Sequence, residues 1–261
     1  MSVLPLVRQW AVDWLNGRHP EVCEQMLTPD YSLLIGGYTL GPRDVYIPAT
    51  LTQLARYPGL VVTVHHVVHA VDQVALVFSE HGASARLEGR AAAWSGVALF
   101  AGDAAGISRC WAEEDYWARR RQLDSAFADP VAPPAVAPWD TPIADADPGV
   151  EAVVRAWLEG PRLRSVPVVC DDEATGQAPV DLLEVQSCRV DALFGAGDQV
   201  AFHVGQTGTY VGGLAGLDDF VGRQANVETA GIVTVRDGNV VAGRVVRDRL
   251  GTVRTLQSAG S

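Results

Sequence analysis

The chain has 261 residues, of which 48% are hydrophobic, and it carries a formal net charge of −11. This composition suits one large domain or two small ones, and its acidity argues against nucleic acid and membrane surfaces as partners. With no run of 18 apolar residues, and no basic start followed by an apolar run, the sequence predicts a cytoplasmic protein without a membrane span or signal peptide.

The N-terminal part of the sequence predicts mainly helices. An opening helix is predicted near 4–16, a short second helix near 20–27, a strand at 30–36 and a third helix over 43–57. The opening helix has apolar side chains at helical spacing, namely Leu6, Trp10, Trp14 and Leu15. The predicted order is therefore helix, helix, strand and helix.

Two later stretches repeat each other. Residues 61–82 and 185–208 each predict a strand, a turn and a strand, and they share a five-residue run with one conservative change. Residues 94–123 and 229–256 each predict an apolar strand, a Gly/Asp turn and a second strand, followed by an aspartate eight residues before a leucine. A repeat of this length predicts two copies of one domain.

A proline-rich segment separates the two copies. Six prolines between 124 and 149 exclude a helix interior or a central strand and predict an extended, semi-rigid linker. We therefore predict a first domain over 1–123 and a second over 150–261. The second has one clear helix, near 150–159, and the broken sequence that follows predicts a copy trimmed on its helical side.

The element order and the endings of the two copies resemble the SnoaL-like branch of the nuclear-transport-factor-2-like superfold. These endings run from Gly102-Asp103 through Asp115 to Leu123, and from Asp237-Gly238 through Asp248 to Leu256. The resemblance implies an α+β fold of two tandem cone-shaped domains. Each would be a curved antiparallel sheet packed on helices.

The resemblance also implies a chemistry. In the polyketide cyclases of this branch, the aspartate after the last strand acts as general acid–base in an intramolecular aldol closure. Its counterparts here are Asp115 and Asp248. This would make the protein a cofactor-independent enzyme of secondary metabolism acting on a small hydrophobic or polyketide-like molecule. Asp248, however, lies between Arg247 and Arg249, whose charges favour its ionised form.

Three histidines lie on the predicted strand at 61–69. Alternation along a strand puts His66 on one face and His65 and His69 on the other. The face of His66 is otherwise apolar, and its other members are Val62, Val64, Val68 and Ala70. His66 is therefore either a satisfied core histidine or a pocket base, partnering Asp115 or donating to the substrate.

Aromatic side chains of the first copy form either its core or the walls of a pocket for a flat ligand. The candidates for substrate contact are Trp10, Trp14, Tyr31, Trp94 and Trp111. The four cysteines are scattered, and the sequence has no phosphate-binding loop, serine elbow or HExxH motif. We therefore expect neither a metal nor a cofactor.

Two functions remain open at this point. The first is a cyclase, with isomerisation or epoxide opening as further versions of the same acid–base chemistry. The second is a non-catalytic small-molecule-binding or scaffold protein of the same superfold. A closed pocket that holds Asp115 within reach of His66 would favour the enzyme. Two copies on one chain also predict an intramolecular pseudo-dimer with its sheets face to face.

Overall fold

The computed structural model describes residues 2–159, 168–170 and 180–258. The first sheet consists of β1 (Leu27–Ile35), β2 (Tyr38–Leu40), β3 (Val61–His69), β4 (Gln73–Ala83), β5 (Ala91–Asp103) and β6 (Gly106–Glu114). Their order across the sheet is β2-β1-β6-β5-β4-β3. Neighbours are antiparallel except for β1 and β6, which are parallel.

The second sheet repeats this topology. It consists of β7 (Val168–Cys170), β8 (Leu183–Ala196), β9 (Gln199–Tyr210), β10 (Gln224–Arg236) and β11 (Asn239–Arg247). Its order is β7-β11-β10-β9-β8, and only β7 and β11 are parallel. The order β1-β6-β5-β4-β3 thus occurs twice, which confirms the predicted α+β class with two tandem units.

Helices pack on both sheets. They are α1 (Leu4–Gln9), α2 (Cys23–Met26), α3 (Arg43–Arg56), α4 (Tyr116–Ser125), α5 (Pro148–Glu159) and α6 (Arg249–Ser258). The predicted opening helix is α1 continued by a π-helical stretch over Trp10–Asn16. The predicted strand at 30–36 begins earlier, at Leu27. Most of the broken sequence after α5 lies outside the described residues.

Three of the hydrophobic clusters show how these elements pack. One cluster fills the concave side of the first sheet, where α1 and α3 cover β3 to β6, and another packs α5 on the concave side of the second sheet. A further cluster joins the outer faces of both sheets, with Val77, Val97 and Leu99 on one side and Phe194 and Ile232 on the other. The two sheets therefore face each other along one chain.

The proline-rich segment follows the edge of the first sheet. The amides of Ala135 and Ala144 donate hydrogen bonds to the carbonyl oxygens of Val64 and His69 on β3, at 2.8 and 3.0 Å. Trp139 packs against the first core. Because β3 is an edge strand, this segment covers backbone groups that would otherwise be free to pair with another chain.

A β-bulge changes the predicted faces of β3. The pairing of β3 with β4 shifts between Val64 and His66, which places one extra residue in β3. Val64 and Val67 pack in the concave core, whereas Val68 packs at the interface between the sheets. The prediction that His66 shares a face with Val64 was therefore wrong, because strict alternation does not continue through a bulge.

Candidate functional site

A cavity of about 240 Å³ lies on the concave side of the first sheet, beneath α3. Most of its wall is apolar, with Trp10, Leu33, Ile35 and Leu54 among the residues that line it. Its polar side chains are Tyr46, Thr50, Gln53, Glu80, Glu114 and Tyr116. An apolar cavity with a few convergent polar groups is the usual form of a small-molecule site.

Two carboxyl groups meet in this cavity. Glu80 follows Val74, Leu76 and Phe78 on the inward face of β4, and Glu114 is the last residue of β6. Glu80 and Glu114 both line the cavity, and the charge of Glu114 raises the pKa of Glu80. Two neighbouring carboxylates in an apolar space disfavour each other's ionised form, so a proton is favoured on one of them.

The surroundings indicate which carboxyl group is protonated. Burial raises the pKa of Glu80 well above its usual range, and the neighbouring charge of Glu114 raises it further. The charges of Arg119 and Arg18 act in the opposite direction and are outweighed. Glu80 therefore holds its proton more tightly than an exposed glutamate does, beside the carboxyl group of Glu114.

Glu114 accepts a hydrogen bond from a neighbouring indole. The Nε1 of Trp94 donates to Glu114 Oε2 at 2.7 Å. Burial and the charge of Glu114 raise the pKa of Tyr116, which also lines the cavity, so its hydroxyl keeps its proton. The indole of Trp94 thus fixes the Glu114 carboxyl group at one side of the cavity.

The second copy lacks this carboxyl pair. The register places Gln206 at the position of Glu80 and Arg247 at that of Glu114. Gln206 Nε2 donates to the carbonyl oxygen of Leu158 at 3.4 Å, and Arg247 Nη1 donates to that of Val180 at 2.8 Å. The pair of neighbouring carboxyl groups therefore belongs to the first copy.

Asp115 begins helix α4 and does not line the cavity that holds Glu114. Its Oδ1 accepts from the amide of Ala118 at 3.1 Å, the hydrogen bond of an N-cap residue. Arg249 Nη2 donates to Asp115 Oδ1 and Oδ2 at 2.5 and 2.6 Å. Asp115 thus caps one helix and joins the first copy to the second.

Asp248 has the corresponding position in the second copy. Its Oδ1 accepts from the amide of Gly251 at 2.8 Å at the start of α6, and its Oδ2 lies 3.8 Å from Arg254 Nη2. Burial raises the pKa of Asp248, although the amide hydrogen bond and the charge of Arg254 act against it. The two aspartates of the repeat are therefore both helix caps.

The structure does not bring His66 to Asp115. His66 pairs with Val77, Val77 with Val97 and Val97 with Glu113. Three strand spacings of about 4.8 Å each therefore separate His66 from Glu113, which lies two residues before Asp115. The imidazole of His66 instead bonds the amide of Gln199, with Nε2 lying 2.9 Å from Gln199 Nε2.

The other histidines of β3 are also satisfied structurally. His65 Nε2 lies 2.9 Å from Ser79 Oγ, and His65 Nδ1 donates to the carbonyl oxygen of Pro133 at 2.9 Å. His69 Nδ1 donates to the carbonyl oxygen of Thr141 at 3.0 Å. Both therefore help to dock the linker on β3.

The five aromatic candidates take different positions. Trp10 lines the cavity, and its indole donates to the hydroxyl of Tyr46 at 3.1 Å. Trp14, Tyr31 and Trp94 are buried in the first core. Trp111 packs at the interface between the sheets, because it alternates with the inward residues of β6.

A chain of ionisable groups crosses the interface. His203 Nε2 bonds Glu113 Oε1 at 3.1 Å, and His203 Nδ1 bonds Asp191 Oδ2 at 3.0 Å. Burial disfavours the imidazolium, but its bonds to these two carboxylates outweigh burial and raise the pKa of His203 to about 9. His203 is therefore a buried cation between the two sheets.

Asp191, His203 and Glu228 have ligand atoms within 4.8 Å of one another, as a metal site would require. Arg189 Nε, however, donates to Asp191 Oδ1 at 2.7 Å, and Arg189 Nη2 donates to Glu228 Oε2 at 3.1 Å. A guanidinium thus binds both carboxylates, and this cluster is a salt-bridge network across β8 and β10.

Sequence reasoning missed Glu80. It stands in a strand whose inward residues are otherwise apolar, and a carboxylate on an apolar face was the available signal. Its partner Glu114 directly precedes the candidate Asp115, but nothing in the local sequence distinguishes it from its neighbour Glu113. The pairing of Glu80 with Glu114 depends on strand order, which local sequence does not specify.

No protein-family model and no curated protein sequence matches this chain. Among solved structures, a proposed SnoaL-like polyketide cyclase from Jannaschia sp. CCS1 is 15% identical, with a TM-score of 0.44, over 47% of this chain and 92% of that protein. A SnoaL-like polyketide cyclase from Agrobacterium tumefaciens is 19% identical, with a TM-score of 0.41, over 47% of this chain and 99% of that protein.

A protein with a ketosteroid isomerase-like fold from Catenulispora acidiphila, solved with trimethylamine, is 18% identical. Its TM-score is 0.37, over 41% of this chain and 82% of that protein. Each of these three structures matches less than half of this chain, at under 20% identity and a TM-score below 0.5. In the described residues, no helix is long and apolar enough to cross a membrane.

Proposed function

We propose that the first copy catalyses proton transfer on a small hydrophobic molecule, as in the cyclisation or isomerisation of a polyketide-like compound. The observation that carries this proposal is the buried pair of Glu80 and Glu114 in an apolar cavity. Two carboxyl groups held in different protonation states supply an acid and a base side by side. Asp115 caps α4 and pairs with Arg249, and it thereby positions the neighbouring Glu114.

The chemistry follows from the two protonation states. Glu80 donates a hydrogen bond, and then its proton, to the carbonyl oxygen of the substrate. The carboxylate of Glu114 accepts a proton from the carbon next to that carbonyl, and the products are an enol and a protonated Glu114. In an aldol closure the enol carbon then attacks a second carbonyl, whose oxygen takes the proton from Glu114 while the enol hydroxyl returns its proton to Glu80. In an isomerisation Glu114 gives its proton to another carbon, and Glu80 recovers its proton from the enol hydroxyl.

A test uses exchange of carbon-bound protons in deuterated water, with bicyclic aromatic ketones as substrates and NMR as the readout. Glu80→Gln and Glu114→Gln should each slow exchange by about 10²–10⁴-fold, the usual loss for a general acid or base. Glu184→Gln is the matched control because Glu184 is exposed on β8.

Two results would count against the enzyme. If the folded variants exchange protons as fast as the parent, the carboxyl pair is not catalytic. If the ketones bind to the parent and no exchange is catalysed, the protein is a small-molecule-binding member of the superfold.

We also infer that the two copies act as an intramolecular pseudo-dimer. The shared apolar cluster between the sheets and the bond from Glu113 to His203 support this arrangement. The second copy would then complete the first by covering its outer face and by supplying Arg249 to Asp115.

A further inference from the structure

A second cavity, of about 280 Å³, lies beside the one that holds the carboxyl pair. Its lining consists of Gln53, Arg56, Tyr57, Ser84, Arg86, Leu87, Arg119 and Leu123. Gln53 lines both cavities, so they meet at this side chain of α3. A ligand in the first cavity therefore has a neighbouring space for one of its ends.

The charge of this second cavity is opposite to that of the protein. The chain as a whole carries −11, yet three arginines and no carboxylate are among the residues that line this space. Arg56 and Arg86 are exposed at its rim. A concentration of positive charge in an acidic protein attracts small anions to this place.

Arg119 connects the two cavities. Its guanidinium lies 5.4 Å from the ring centre of Tyr57, which lines the second cavity, and 4.1 Å from that of Tyr116, which lines the first. Its Nη1 is buried without a hydrogen-bond partner among the described residues. A buried guanidinium N–H without an acceptor is costly, so a ligand oxygen there would be stabilising.

We propose that the substrate of the first cavity carries an oxyanion, a carboxylate or a phosphate, which binds between Arg56, Arg86 and Arg119. This inference rests on the proposed function, because it assigns the polar end of the molecule whose apolar part lies near Glu80 and Glu114. The planar guanidinium forks suit both kinds of oxyanion, since each can accept paired N–H donors.

The test compares three naphthalene probes of similar size by calorimetry: 1-naphthylacetate, 1-naphthyl phosphate and the uncharged 1-naphthylacetamide. The parent should bind at least one anion about 10-fold more tightly than the amide. Added salt should weaken the binding of that anion and leave the binding of the amide unchanged. The acetate and phosphate arms show which oxyanion the arginines prefer.

The double variant Arg56→Gln/Arg86→Gln should reduce the preference for the anion by about 5-fold or more, because each exposed charge contributes modestly. Both side chains are exposed, so the variant should fold. Arg120→Gln is the matched control, since Arg120 is exposed on α4 next to Arg119, does not line the second cavity, and pairs with Asp124 at 3.7 Å.

Three outcomes overturn the proposal: no measurable binding of either anion, equal affinity for anion and amide, or an unchanged preference in the double variant. Failure of the proposed function gives a different pattern, in which the arginines select the anion while Glu80→Gln leaves proton exchange intact. Conversely, if Glu80→Gln abolishes proton exchange but the parent shows no preference for anions, only the proposal of the oxyanion site is contradicted.

Discussion

The carboxyl group of Glu113 on β6 and the imidazole of His203 on β9 bond each other at 3.1 Å across the interface between the two sheets. Both side chains are fully buried, at 1% and 0% exposure. Burial raises the pKa of Glu113 to about 7, although the bond and charge of His203 act to lower it. The interface therefore holds a titrating pair that neither copy contains alone.

This pair predicts that stability depends on pH. The folded state holds the proton of His203 more tightly than the unfolded chain does. The contribution of His203 to stability is therefore full below about pH 6.5 and is lost as the pH rises through about 9. For Glu113 the corresponding loss runs from about 4.5 to about 7. We expect the free energy of unfolding to fall by about 2 kcal/mol between neutral pH and pH 9, measured by urea denaturation.

His203→Gln should flatten this dependence, whereas His19→Gln should not, because His19 is exposed. Asp191 does not disturb the comparison. The bonds from His203 and Arg189 outweigh its burial and lower its pKa to about 2, so its stabilisation is lost only in acid. A parent protein with equal stability at neutral pH and pH 9 would contradict the assignment of His203 as a buried cation.

The ion pair of Asp115 and Arg249 leads to a second prediction. Asp115→Asn keeps the shape and the helix cap but removes the carboxylate from this buried ion pair. We expect the free energy of unfolding to fall by about 3 kcal/mol, as for other broken buried pairs. Urea denaturation of the variant measures this change.

The control for that variant is Asp198→Asn. Asp198 and Arg236 form an exposed pair at 3.8 Å, and its loss should change the stability by less than about 1 kcal/mol. If Asp115→Asn is as stable as the parent but loses proton exchange, Asp115 acts in catalysis, as the family resemblance implied.

The parts of the fold that local sequence specifies were predictable. The internal repeat gave two copies with the same strand order, and the Asp237-Gly238 signal gave a hairpin between β10 and β11. Both turn residues have positive φ, 49° and 71°, the backbone that this dipeptide favours.

The candidate site was less predictable, because its residues meet through tertiary contacts. Glu80 and Glu114 belong to strands separated by β5, and Glu113 and His203 are 90 residues apart. The bulge just before His66 also has no signal in the alternation of β3, although it decides which face this histidine occupies. Strand identity could therefore be predicted, whereas side-chain partners could not.

The packing of the two sheets leads to a third prediction, which concerns assembly. The outer faces that could pair between separate chains already cover each other here through a shared apolar cluster. We expect a monomer of 27.8 kDa in light scattering coupled to size-exclusion chromatography. A stable species of twice this mass would show that another surface pairs and would contradict the intramolecular pseudo-dimer as the complete assembly.

The fourth prediction concerns the proton on Glu80. Burial is the main reason for its raised pKa and the charge of Glu114 is the second, so removing that charge should lower the pKa while leaving it above that of an exposed glutamate. The protonated carboxyl band of Glu80, identified in infrared difference spectra by its absence in Glu80→Gln, should persist at neutral pH in the parent. In Glu114→Gln it should disappear at a lower pH than in the parent. Glu184→Gln, an exposed substitution on the second copy, should leave the band unchanged.

A Glu80 that is ionised at neutral pH in the parent would remove the acid from the proposed pair. The cavity would then hold two carboxylates, and a like-charged pair in an apolar space would need a bound cation rather than a carbonyl substrate.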